Sequence, residues 1–264
     1  MAATHLEGGR LVALKLLVQG TFNANAEERF LREARATVQI QGLHVAKVLD
    51  VGRLDDGAPY LAMEHLVGRD LGAKLEACGR LPAALAIDYV LQACEAVAEA
   101  HALGIVHRDL KPANLFLARR DGATPVIKVL DFGIAKTRDH GDDDVSLTVP
   151  DSVLGSPLYM PPEQIRNARS VDARGDIWSL GVVLYELVTG HTPFRAESVA
   201  GVLGAIMAEP PLPLSDSGAV VPEALETVIL RCLEKDREDR YPTVTDLAAA
   251  LARARQVWTK RPAT

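Results

Sequence analysis

Two rhythms of apolar residues run along this chain. Leu11 to Val18 is an apolar run of strand length, broken only by Lys15. Val45 to Val51 and Ala58 to Leu66 read as a strand pair around the turn Asp55-Asp56-Gly57, and Val126 to Leu130 reads as a further short strand. The other rhythm is helical. Glu27 to Gln39 puts Phe30, Leu31, Ala34 and Val38 on one stripe. Between Pro82 and Gly104 the positions Ile87, Val90, Leu91, Cys94, Val97, Ala98 and His101 recur at helical spacing, with Pro82 suited to the first turn and Gly104 to the end. Asp176 to Gly190 is apolar on nearly every side, which places a helix inside a domain. Amphipathic stretches Pro222 to Leu233 and Thr243 to Ala254 close the pattern, and Pro210 to Pro222 reads as a loop.

Composition narrows the class without naming a function. The 264 residues suffice for a substantial core, and 48% hydrophobic with 24% charged residues is ordinary for a globular protein. A net charge of −6 and the lack of a basic stripe argue against nucleic acid as the main partner. Cys78, Cys94 and Cys232 are odd in number, far apart and without metal-ligand spacing, so a reducing compartment is expected. No apolar run approaches bilayer length and no signal pattern opens the chain, so a cytoplasmic location is expected.

The chemistry concentrates in His107-Arg108-Asp109-Leu110-Lys111-Pro112-Ala113-Asn114, followed by Asp131-Phe132-Gly133. Pro112 removes a backbone donor and disfavours helix before it, so a loop is expected that aims Asp109, Lys111 and Asn114 into one site. A carboxylate, a point cation and an amide beside a second carboxylate suit phosphoryl transfer.

This string resembles the protein kinase signature H-R-D-L-x-x-x-N followed by D-F-G. Gly155 to Glu163 looks like the family's G-T-P-x-Y-M-A-P-E, with Ser156 for Thr and Pro161 for Ala. The resemblance implies an α+β, two-lobed fold. Residues 1–66 would form a small antiparallel β lobe with one helix, and residues 67–264 a larger, mainly helical lobe. It implies Asp109, Lys111 and Asn114 as catalytic residues, with Asn114 and Asp131 holding Mg2+. Lys15, written in Val12-Ala13-Leu14-Lys15, would bind ATP phosphates and pair with Glu33. A lysine snorkelling from an edge strand is the alternative. Ala13, Met63 as gatekeeper, Glu64, Leu66 and Phe116 complete the nucleotide set. Asp70 falls at a ribose-binding position, and a helix N-cap is an equal reading of it. Arg108 is placed to bind phosphate on Thr148 or Ser152, and Ser156 keeps a hydroxyl near Asp109. Glu163 is expected to pair with Arg240, Asp176 to hold the loop backbone, and His107 to be packed structure.

Lys111, two residues after Asp109, points to a protein substrate with Ser/Thr acceptors, and Leu49 to Gly52 and Met160 to Gln164 resemble the bacterial branch. At the front, only Gly8 and Gly9 precede Lys15, and no G-x-G-x-x-G loop does. The small lobe therefore reads as truncated, with Ala2 to Glu7 as the end of the second strand and Leu14, Leu16 and Leu17 at an edge without a neighbour. That reading leaves an active kinase with a misplaced start or fragment boundary, a pseudokinase scaffold, and a small-molecule kinase of the same fold.

Overall fold

The computed structural model describes residues 2–4, 11–16, 31, 34–35, 37–120, 122–132, 157–167 and 170–259. Strands β1 (Ala2–Thr4), β2 (Leu11–Leu16), β3 (Val48–Arg53) and β4 (Pro59–Glu64) make an antiparallel sheet in the order β1-β2-β4-β3. β1, within the stretch expected as the end of a strand, pairs with Leu11 to Ala13. On the other side Leu14 and Leu16 pair with Ala62 and Tyr60. Leu17 lies outside the described residues. The β3–β4 turn closes through Gly57, whose φ of 85° a β-carbon would disfavour, and through Gly57 N–H donating to Leu54 O at 2.8 Å. Of the expected helix at 27–39, Leu31, Ala34, Arg35 and Thr37 are described and helical. Leu31 and Ala34 pack on Leu61 with Val48, Val51 and Met63, forming a small core of their own.

The second sheet, β5-β6-β7, belongs to the larger lobe. β5 (Gly68–Asp70) leads into α1 (Leu71–Cys78), followed by α2 (Ala83–Ala102) and the hairpin β6 (Leu115–Arg120) and β7 (Ala123–Val129). After it come α3 (Pro162–Arg166), α4 (Arg174–Thr189), α5 (Val199–Ala208), α6 (Glu223–Cys232) and α7 (Val244–Thr259). No helix among the described residues is long and apolar enough to cross a membrane.

α4 is buried almost throughout, as its sequence demands. Small residues allow that packing: a β-carbon on Gly181 would collide with Cys232 of α6. The helix stops at Gly190, which takes φ 86° and donates to Glu186 O at 2.8 Å. Trp178 of α4 stacks on Phe194 with ring centroids 5.7 Å apart. Lys235 Nζ lies 3.9 Å from the centre of the Phe194 ring and donates to Ile206 O. Burial and the neighbouring Arg240 push the Lys235 ammonium down to about 8.

Arg240 itself is fully buried. Its guanidinium donates to both Glu163 oxygens at 2.8 Å and also to Glu234 O. The expected Glu163–Arg240 pair is therefore present and bidentate. Glu163→Ala would strand that cation, and we expect a loss of about 3–5 kcal/mol of stability in urea unfolding. A loss below about 1 kcal/mol would mean that the pair is no more than a surface contact.

Candidate active site

The catalytic loop is set by a carboxylate outside it. Asp176, fully buried in the first turn of α4, accepts the N–H of His107 at 2.8 Å and of Arg108 at 2.9 Å. It also receives His101 Nε2 from α2 at 2.7 Å. Arg108 has φ 64°, a left-handed conformation uncommon for a residue with a side chain. The paired amide bonds hold it there. Asp176 thus fills the expected role.

His107 is buried, and burial lowers its pKa against the opposing pull of Asp176, Asp109 and Asp131. Its ring links both halves of the site. Nδ1 accepts the Asp109 N–H at 3.2 Å, and the opposite nitrogen, Nε2, meets Leu130 O at 2.8 Å. That pattern assigns the neutral Nε2–H tautomer. Phe132 leans on the same ring at 4.8 Å. His107 is packed structure, as the resemblance implied.

Asp109 is brought together with its predicted neighbours. Lys111 Nζ lies 3.0 Å from Asp109 Oδ2, and Asn114 Nδ2 donates to Asp109 O at 2.8 Å and to Oδ2 at 3.2 Å. The expected loop gains one correction: Pro112–Asn114 is a single 3-10 turn. Pro112 sits at its start, where a fixed φ suits a helical turn and no N–H is needed. Asn114 O accepts the Leu130 N–H at 2.9 Å, so the strand end carrying Asp131 is tied to the turn carrying Asn114. Asp131 has φ 57°, and its Oδ1 lies 2.9 Å from Lys15 Nζ.

Oxygen donors therefore collect here. Asn114 spends its amide nitrogen on Asp109, which leaves its carboxamide oxygen as an acceptor, and Lys15 Nζ stands on Oδ1 of Asp131. Such a pair fits magnesium, a hard ion that takes one or two protein oxygens and completes its shell with water and phosphate.

The residues expected around a nucleotide are distributed along the lobe junction. Ala13 pairs in register with Met63 across β2 and β4, and Met63 packs on the small core. Glu64 and Leu66 lie where the chain leaves β4 for the larger lobe. Phe116 faces Asp70 across β6 and β5. Asp70 caps α1, accepting the Ala73 N–H at 2.9 Å. Glu33, Gly133, Thr148, Ser152 and Ser156 lie outside the described residues, and Arg108 has an exposed side chain.

Sequence reasoning missed several polar positions. Lys128, inside an apolar strand, is buried and donates to Glu64 Oε1 at 2.7 Å and Val45 O at 3.0 Å. A charged residue in that run was the signal for it. His101 had been counted with the apolar stripe of its helix, yet it faces Asp176. Glu99, also on α2, accepts the N–H groups of Gln41 and Gly42 and left no trace in the pattern.

Known proteins resemble this chain in sequence. The protein kinase domain model matches residues 1–251. Serine/threonine-protein kinase Pkn1 of Myxococcus xanthus is 42% identical over 248 residues, 94% of this chain and 35% of that protein. Serine/threonine-protein kinase pkn3 of the same organism is 38% identical over 252 residues, 94% of this chain and 46% of that one. Serine/threonine-protein kinase PknB of Mycobacterium tuberculosis is 38% identical over 228 residues, 85% of this chain and 35% of that protein. The chain thus spans less than half the length of these relatives. A loop held by Asp176 and a family match over nearly all residues lead to one assignment: the chain belongs to the protein kinase domain family, with the bacterial serine/threonine kinases.

Proposed function

We propose that this chain transfers the γ-phosphoryl group of ATP to a serine or threonine hydroxyl of a protein substrate. The observation that carries the reading is Asp109, with its carboxylate held by Lys111 and Asn114 beside the strand end that delivers Asp131. Asp109 would accept or orient the acceptor hydroxyl, since a base must lie within hydrogen-bond reach of the proton it takes. Lys111 would meet charge on the transferred group. Asn114 and Asp131 would hold magnesium, which supplies neutralising charge to phosphate oxygens when bound.

Lys15 would grip the phosphates nearer the base. It stands now on Asp131, and Glu33 is its expected partner from the small-lobe helix. Ala13, Met63, Glu64, Leu66 and Phe116 would enclose the adenine and Asp70 would reach the ribose. Thr148 or Ser152, read out by Arg108, would carry regulatory phosphate. Lys111 and the serine/threonine names of the relatives support a hydroxyl of that type as acceptor. A cytoplasmic site of action accords with the free cysteines, two of which are buried.

The direct test is intact mass after incubation of phosphatase-treated protein with Mg-ATP. Phosphate-sized steps are expected in the parent. Asp109→Asn should lower the rate by at least about 10²-fold while keeping the parental melting temperature; undiminished transfer would overturn the assigned role. Asp176→Asn replaces an acceptor of three donors with a group that carries its own N–H. It should cost about 10²-fold or more in rate through the displaced loop, together with about 3–5 kcal/mol of stability. Parental kinetics in that variant would show that the loop holds its shape without the carboxylate.

A further inference from the structure

One stripe of α2 carries no apolar residue and plays no part in the chemistry above. Gln92, Glu95 and Glu99 are spaced so that they share one helix face. All three address the segment that leaves the small-lobe helix and the strand beside it. Gln92 Oε1 accepts the Ile127 N–H at 2.8 Å, and Glu95 lies 3.5 Å from His44 Nε2. Glu99 makes the tightest contact: Oε1 accepts the Gln41 N–H at 2.8 Å and Oε2 the Gly42 N–H at 2.9 Å. Two consecutive amides thus occupy both oxygens of one carboxylate, a charge-assisted arrangement.

The gripped turn is mechanically placed. Just before it, Thr37 Oγ1 and Val38 N donate to Ala34 O, and Gln41 Nε2 donates to Val38 O, so the helix end is closed on itself. Ile40 is buried in the core of the larger lobe. Leu31 and Ala34, in the same helical stretch, are packed on Leu61 of β4, and β4 pairs with Lys15 through that same Leu61. Two residues beyond Glu99, His101 meets Asp176, which sets the catalytic loop.

We propose that Glu99 is a positioning residue of the phosphoryl-transfer site: by clamping the Gln41 and Gly42 amides it fixes the small-lobe helix and Lys15 relative to the catalytic loop. The inference rests on the function proposed above. It separates Glu99 from Glu95, which is largely exposed and meets a single imidazole at longer range. Gly42 gives an independent handle. A β-carbon there would collide with the Glu99 carboxylate, while no left-handed backbone strains an alanine at that position. Gly42→Ala should therefore evict the carboxylate and leave its residue type unchanged.

The experiment is a double-mutant cycle. Mg-ATP affinity is read by calorimetry, kcat by phosphate transfer, and amide exchange at residues 41–42 by mass spectrometry. Glu99→Ala should weaken Mg-ATP binding roughly 5- to 10-fold and lose protection at 41–42, with the kcat at saturating ATP much less affected. Glu99→Gln, which keeps one acceptor, should fall between it and the parent and covers the case of an alanine variant that does not fold. Gly42→Ala should reproduce the loss alone and add nothing to Glu99→Ala. Full additivity, or unchanged Mg-ATP affinity once protection is lost, would overturn the proposal. A parent that binds Mg-ATP without transferring phosphate would defeat the proposed function and leave the affinity cycle decisive for Glu99. A parent that does not bind Mg-ATP would overturn both.

Discussion

The active site depends on one buried carboxylate. Asp176 has no exposed surface, and an uncompensated charge there would be very costly. Two backbone amides and an imidazole satisfy it, and that satisfaction is also the catalytic loop's specification. Arg108 takes a left-handed φ that costs about 1–3 kcal/mol where nothing enforces it. The amide bond to Asp176 enforces it, turning the chain so that Asp109 follows His107 into the site. α4 explains how the carboxylate reaches so deep. A helix apolar on nearly every face is carried into the core by its other residues, and its first turn comes along.

A second joint ties the lobes. Val45 forms a parallel bridge with Val129, with Ala46 N donating to Val129 O and Val129 N to His44 O. The segment leaving the small-lobe helix therefore behaves as one more strand on β7, two residues before Asp131. Lys128 closes the same joint from within, reaching Val45 O and the Glu64 carboxylate, which also accepts the Lys47 N–H. The strand end before Asp131, the helix exit and Glu64 at the end of β4 are thus tied into one joint.

Most of the elements were legible because their signals are local. The 3.6-residue spacing in α2, the uniformly apolar α4 and the Asp-Asp-Gly turn each declare themselves within a few residues, and the structure moves their ends only slightly. The catalytic string was legible because its chemistry is written contiguously from His107 to Asn114. What stayed hidden was long-range and polar. Glu99 is one of many surface-like glutamates until residues 41 and 42 are folded onto it from 58 and 57 positions away. His101 lies at an apolar spacing and was read as apolar, because periodicity reports which face a residue occupies and not what waits opposite. The front of the chain was legible only in outline. Ala2 to Glu7 was expected as the end of a strand from the resemblance, and Ala2–Thr4 is a strand on Leu11 to Ala13, although a segment so short gives no periodic signal of its own.

The ion pairs sort by what each has to do. Glu163–Arg240 is bidentate, with the arginine wholly buried and the glutamate nearly so, so opening it would strand a charge. Lys15–Asp131 and Lys111–Asp109 each bring a lysine Nζ to a carboxylate oxygen, at 2.9 Å and 3.0 Å, and both lysines keep part of their side chains exposed. A lysine is a point cation on a flexible stem, without the planar fork that fixes Arg240 on Glu163, so its contact can be exchanged for another oxygen at less cost. A site that must take in phosphate charge needs that difference. In the proposed function Lys15 and Lys111 would turn from carboxylates toward phosphate oxygens, and a resting pair as tight as Glu163–Arg240 would subtract its own strength from binding. The fold therefore keeps its strong pair where the architecture must not move, and its weak pairs where partners must be exchanged.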